Sequence, residues 1–159
     1  MKHHATALAC LMLLTVTGAQ ADRAPSPQAK GVSSPVAAQP IGEFTDRQGF
    51  RRKYYVVPAG LSDAQLTALG RQLHATEKNA WLWLLDSDEQ AKQMMATVQK
   101  TQTGDMTGYP GKWVEQHTAA HSGLALMPKG GRQWLLYKGP YSSQRLDVLP
   151  CLDTSCTRK

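Results

Sequence analysis

The sequence predicts a single small α+β domain, in which a mixed four-stranded sheet has helices packed on it. A strand-like segment at residues 53–57 precedes an amphipathic helix over Asp63–Glu77 and the apolar run Ala80–Leu85. This alternation is typical of two parallel strands joined by a crossover helix. Residues 122–127 and 132–137 flank a Pro-Lys-Gly-Gly sequence, which predicts a hairpin.

The first helix is the best-marked element of the sequence. Ser62 and Gln65 form an S-x-x-Q capping box, in which each side chain can bond to the other residue's backbone N–H. Three leucines then recur at helical spacing and predict one apolar face: Leu66, Leu69 and Leu73.

The run Ala80–Leu85 is apolar without a polar break, so it predicts a strand buried on both faces in the middle of a sheet. Trp81 and Trp83 share one of those faces, and we expect a helix to cover them. A second S-x-x-Q box, at Ser87 and Gln90, predicts another amphipathic helix, and the neighbouring acids are assigned to its start: Asp86 and Asp88.

The predicted order of elements is β-α-β-α-(α)-β-β. The bracketed element is a short helix over residues 110–117, with Pro110 in its first turn. Residues 146–149 would add a short edge strand if they pair with the sheet.

The domain organisation follows from composition. Residues 1–21 have a cationic start, an apolar run and an A-x-A exit, which predict a signal peptide cleaved after Ala21. Residues 22–43 are rich in Pro, Ala, Ser and Gln and predict a disordered tether. Residues 44–150 form the predicted domain, and residues 151–159 form a C-terminal disulfide loop and tail.

The leader predicts a periplasmic or secreted protein. Cleavage removes Cys10 and leaves Cys151 and Cys156, which we expect to form a disulfide in an oxidising compartment. The apolar run is shorter than the roughly 20 residues that span a bilayer, so no transmembrane segment is predicted.

Charge indicates the kind of partner. The leader contains one of the 18 Lys and Arg residues and none of the 12 acids, so the mature chain has 17 basic and 12 acidic side chains. A net charge of +5 favours an anionic cell-envelope component or a protein partner, and the predicted compartment argues against nucleic acid. The cluster Arg51-Arg52-Lys53 is either a solvated strand entrance or a docking patch for an acidic partner.

His117 and His121 are four residues apart, and on a helix they would share one face and could bind Zn²⁺. Glu115 or Asp105 would assist in a metal-dependent hydrolase. Thr118 stands where zinc-protease motifs have Glu, which argues against peptidase chemistry. One alternative is that one or both histidines form ordinary hydrogen bonds to backbone or loop. The other is a pH-responsive role, because a histidine near its usual pKa of about 6.5 can change charge in an exposed compartment.

The segment from Tyr109 to His121 is the predicted binding surface, with Tyr109, Trp113, His117 and His121 as its binding residues. No catalytic residue is predicted. The sequence has no G-x-S-x-G elbow, phosphate loop or dinucleotide fingerprint.

Four motifs between residues 53 and 139 carry a resemblance: a strand ending in Pro-x-Gly, a capped helix, a W-x-x-x-H segment and a hairpin with a late Trp. In these the chain resembles small exported bacterial proteins of unassigned function. The residues that match the pattern are Tyr55, Leu66, Trp113, His117 and Trp134. The resemblance implies no catalytic role.

These observations predict an exported, non-enzymatic interaction module that binds a protein or cell-envelope partner. One alternative is a small metal-dependent hydrolase that uses His117 and His121. The other is a structural accessory of an envelope secretion or conjugation machine.

Overall fold

The computed structural model describes residues 36–78, 80–128, 130–152 and 156. The predicted signal peptide, the first part of the predicted tether and most of the C-terminal tail lie outside the described residues.

The described chain forms a six-stranded mixed sheet whose strands lie side by side in sequence order. The elements are β1 (Gln39–Thr45), β2 (Arg51–Val56), α1 (Asp63–Glu77), β3 (Ala80–Leu85), α2 (Ala91–Thr97), α3 (Gly111–His117), β4 (Thr118–Leu126), β5 (Arg132–Lys138) and β6 (Arg145–Leu149). A 3₁₀ helix (Val98–Thr103) follows α2. β2 and β3 are parallel, and every other neighbouring pair is antiparallel.

The predicted four-stranded sheet is therefore wrong, and so is the predicted order, although the α+β class is compatible with the structure. β1 was missed because it contains Pro40 and Gly42 and shows no alternation of apolar residues. Such a sequence is tolerated at a sheet edge, where a missing donor and a bulge cost little. The bulge lies between those two residues, and most of β1 falls within the segment predicted to be a tether. The optional strand at residues 146–149 is a full strand, β6.

The sheet separates two cores. α1 covers one face, where it buries apolar side chains of the central and C-terminal strands: Tyr55, Leu82, Leu84, Trp134, Leu136 and Leu149. α2, the 3₁₀ helix and α3 pack on the other face against Tyr54 and Leu85, with Met94, Val98, Trp113 and Val114 buried between. β3 contributes to both cores, as its unbroken apolar run predicted.

The two capping boxes differ in outcome. In the first, the Ser62 side chain accepts from the Gln65 N–H, and the Gln65 side chain accepts from the Ser62 N–H, as predicted. The second is wrong, because α2 begins only at Ala91 and Ser87 Oγ accepts from the Glu89 N–H at 3.3 Å. Ser87 therefore shapes the turn before the helix and does not cap it.

The predicted disulfide is confirmed: the Sγ atoms of Cys151 and Cys156 are 2.06 Å apart. None of the helices in the described part of the chain combines the length and apolar character needed to cross a membrane.

Asp46 anchors the turn between β1 and β2. Its carboxylate accepts from the N–H groups of Gln48 and Phe50 at 3.0 and 2.9 Å and pairs with the Arg52 guanidinium at 2.9 Å. Burial raises the pKa of Asp46, but the hydrogen bonds from Phe50 and Arg52 outweigh it, so the pKa lies below its usual value. Arg52 in turn lies 4.5 Å from the Trp81 ring centroid.

Replacing Asp46 should therefore destabilise the domain. Asp46→Ala leaves two N–H groups and a guanidinium without their acceptor, and we expect it to cost about 3 kcal/mol of unfolding free energy in urea denaturation. Asp88→Ala, at an exposed position whose side chain makes no described hydrogen bond, is the control and should change stability by less than about 0.5 kcal/mol. Equal effects of the two substitutions would contradict this role.

Gly70 sets how closely α1 approaches β5. A Cβ atom built on it would lie 2.6 Å from Cδ2 of Leu136, which is fully buried and has no room to move. In Gly70→Ala, about 1 kcal/mol of helix propensity is gained, while overpacking costs about 1–3 kcal/mol. We expect a net loss of about 1 kcal/mol in urea denaturation, and a stabilised variant would show that the contact is looser than described.

Candidate functional site

α3 and β4 follow each other without a loop. The Thr118 hydroxyl donates to the Val114 carbonyl at 2.6 Å, and Thr118 is already extended, so the helix ends at His117. Trp113 and Val114 face the core, which leaves Lys112 and Gln116 exposed.

The exposed side of α3 borders a depression of about 490 Å³, called here the α3 depression. It brings together three of the four predicted binding residues, Tyr109, Trp113 and His117. The complete lining is Glu89, Gln90, Tyr109, Pro110, Gly111, Lys112, Trp113, Gln116 and His117. An ammonium, a carboxylate, two amides and an imidazole therefore surround two aromatic rings, a mixture able to bind polar and apolar parts of one ligand.

Asp86 holds His117 in place. The His117 Nδ1 atom lies 2.8 Å from Asp86 Oδ1, and the Asp86 N–H donates to the His117 carbonyl at 2.9 Å. An ionised carboxylate only accepts, so Nδ1 carries the proton and Nε2 of the neutral ring is an acceptor. This role of Asp86 was not predicted, because the residue was assigned to a helix start. Its position directly after a central buried strand was the available signal.

His121 lies outside the α3 depression. Its ring is stacked between those of Trp83 and Tyr137, at centroid distances of 5.2 and 5.3 Å, and Nδ1 donates to the Gly139 carbonyl at 2.7 Å. Burial lowers the pKa of His121, and the bond to Gly139 opposes this only in part.

The His121 stack belongs to a longer row of rings that crosses the sheet, with one ring from each of β1 to β5. Successive centroids are 6.2, 6.1, 5.2 and 5.3 Å apart. The rings belong to Phe44, Tyr54, Trp83, His121 and Tyr137. Such cross-strand aromatic contacts stabilise a sheet, so His121 has a packing role.

The predicted metal site required His117 and His121 on one face of a single helix. The structure does not provide this geometry, because His117 ends α3 while His121 lies within β4. Within the described ranges, no group of three or more His, Cys, Asp or Glu side chains is arranged to hold a metal ion. The two proposed helpers are also engaged elsewhere. Glu115 accepts from the Tyr141 hydroxyl, and Asp105 accepts from the Thr107 N–H at 2.9 Å.

The basic cluster at residues 51–53 has acidic partners within the chain. Arg51 and Lys53 lie 3.3 and 2.5 Å from Glu77, and Lys53 lies 3.1 Å from Glu43. Arg52 is paired with Asp46. The cluster is thus neutralised in place, which argues against its use as a docking patch for an acidic partner.

The lowered pKa of His121 predicts a pH dependence of stability. As the pH falls through about 6.5, the unfolded chain binds a proton at this residue more readily than the folded chain does, so the unfolding free energy falls. We expect this loss between pH 7 and pH 5 to be smaller in His121→Gln than in the parent protein, in urea denaturation at both pH values. An identical loss in both proteins would contradict the assignment.

Comparison with known proteins adds no relative. No protein-family model, no curated protein and no solved structure matches the chain. The function must therefore be argued from the geometry of the chain itself.

Proposed function

We propose that this chain is an exported, non-enzymatic interaction module that binds a protein or cell-envelope partner through the α3 depression. The observation that carries the proposal is the convergence of Tyr109, Trp113 and His117 on one surface with an ammonium, a carboxylate and two amide groups.

The lining residues have different roles in the proposed binding. Trp113 is only 5% exposed, so it forms a rigid floor, while Tyr109 is half-buried and offers a ring face to a ligand. His117 contributes a fixed acceptor, because Asp86 occupies Nδ1 and orients Nε2. Aromatic surface at a rigid site binds at a low cost in conformational entropy, which suits a recognition role.

Export to the periplasm or beyond remains a proposal based on the leader at residues 1–21. The Cys151–Cys156 disulfide supports it, because disulfides persist in oxidising compartments. In that compartment the positive charge of the mature chain would favour anionic envelope components.

Photo-crosslinking tests the binding surface. A photoreactive residue at Gln116, exposed beside the α3 depression, should give a specific adduct in cells, and the same residue at Gln48, exposed in the turn between β1 and β2, should not. Tyr109→Ala should reduce the Gln116 adduct at equal protein level. Adducts of equal yield from both positions, or none from either, would count against the proposal.

The adduct also separates two kinds of partner. A single soluble protein or an envelope polymer fits an interaction module. Co-purification with a large membrane complex would instead indicate a structural accessory of a secretion or conjugation machine.

The second candidate, a small metal-dependent hydrolase acting through His117 and His121, is favoured by one observation only. A carboxylate bonded to Nδ1 of a histidine is the arrangement that orients metal ligands and general bases. It predicts that Zn²⁺ raises the melting temperature of the parent protein and not that of His117→Ala. A parent protein that does not respond to Zn²⁺ would remove this candidate.

A further inference from the structure

We propose that the outer edge of β6 and the adjoining side of α1 form a docking groove for an extended, acidic peptide segment, which pairs with β6 as an added strand. This surface shares no residue with the α3 depression, so the inference goes beyond the proposed function.

Among the residues that the structure describes, β6 is the last strand of the sheet, and β5 is its one strand neighbour. The Lys138 N–H donates to the Gln144 carbonyl, so Lys138 and every second residue before it in β5 bond toward β6. Opposite them, Asp147 and Leu149 bond inward, so the backbone groups of Val148 between them are directed outward, while the register shift between Asp147 and Arg145 leaves Leu146 without a partner in β5. Backbone groups that the sheet does not use are a template for an added strand.

The opposite edge of the sheet is less suited to pairing. β1 contains Pro40, which has no N–H, and a bulge between Pro40 and Gly42 interrupts its register. Both features hinder the pairing of an edge strand with a further strand. β6 contains neither Pro nor Gly, and its own register shift lies near its start, at Leu146, so residues 147–149 keep a regular register.

Space for an added strand exists between β6 and α1. Two adjoining depressions, of about 490 and 430 Å³, share Arg71 and follow the length of β6. The α1 wall is built from the small side chains of Ala64, Thr67 and Ala68. Side chains of an added strand that point toward α1 would fit above these small residues, because alternate side chains of a strand point to the same face.

The charges of the groove favour an acidic segment. Asp147 is bonded to Arg71 at 2.6 Å, and Asp63 is bonded to Lys138 at 2.6 Å, so both acids already have a cation. Arg145 is exposed and makes no ion pair within the described part of the chain. A carboxylate on the added strand would give Arg145 its partner.

Two other occupants fit less well. Residues 22–35 of this chain carry two cations, Arg23 and Lys30, and one acid, so they do not supply the carboxylate. A second copy pairing antiparallel through the middle of β6 would set Asp147 opposite its own copy, and like charges directly opposite each other are destabilising.

The test uses the mature chain, labelled with ¹⁵N, and a nine-residue peptide of alternating Thr and Val with two Glu substitutions. We expect saturable binding, with the largest amide shifts at residues 145–149 and slower hydrogen exchange at the Val148 amide. The same peptide with Lys in place of Glu should bind about threefold to tenfold more weakly. Equal binding of both peptides, shifts centred on the α3 depression, or no binding at about 1 mM peptide would overturn the proposal.

Three variants identify the contacts. Arg145→Glu, at an exposed side chain, should weaken the acidic peptide about threefold to tenfold with an unchanged melting temperature. Val148→Pro removes an outward N–H and should abolish binding, while Val148→Ala should largely retain it. If Val148→Pro fails to fold, Arg145→Glu and the Lys peptide still decide. Dimerisation of the free protein that Arg145→Glu leaves intact and Val148→Pro abolishes would instead assign the edge to a second copy.

Discussion

The structure depends on one strand that is buried on both faces. β3 places Leu82 and Leu84 in the core under α1 and Leu85 in the core under α2 and α3, so the two halves of the molecule share it. The seam between β3 and β4 is short and irregular, and the buried Ser122 hydroxyl accepts from the Leu82 N–H at 2.8 Å where regular strand pairing has ended. Asp86 follows β3 directly and bonds to His117, and this bond positions the imidazole at the α3 depression.

Local sequence patterns predicted the elements that are determined by residues close together in the sequence. The capping box at Ser62 and the leucine spacing predicted the start and the approximate length of α1, and the apolar run predicted β3. β1 could not be recognised from its sequence, because it contains Pro40 and Gly42. It is held in a strand by pairing with β2 and by contacts with α2. A Cβ at Gly42 would lie 2.4 Å from Met95 Cε, so packing against α2 favours glycine at this position. The two residues are far apart in the sequence, and their contact leaves no local sequence pattern.

The same division applies to the candidate site. Tyr109, Trp113 and His117 are close in sequence and were predicted together. Asp86 was missed because it lies 31 residues before His117 and meets it only through the pairing of β3 with β4. His121 was grouped with His117 on the assumption of one continuous helix, and the switch from α3 to β4 at Thr118 separates their environments. Spacing of four residues indicates a shared face only where the helix continues.

Asp86, fixed at the end of β3, holds the His117 ring beside the α3 depression with the proton on Nδ1 and with Nε2 as an acceptor. The ¹⁵N chemical shifts of the His117 ring in neutral imidazole form report its tautomer directly. We expect a protonated Nδ1 and an unprotonated Nε2, and loss of this preference in Asp86→Ala. A proton on Nε2 in the parent protein would show that the carboxylate does not orient the ring.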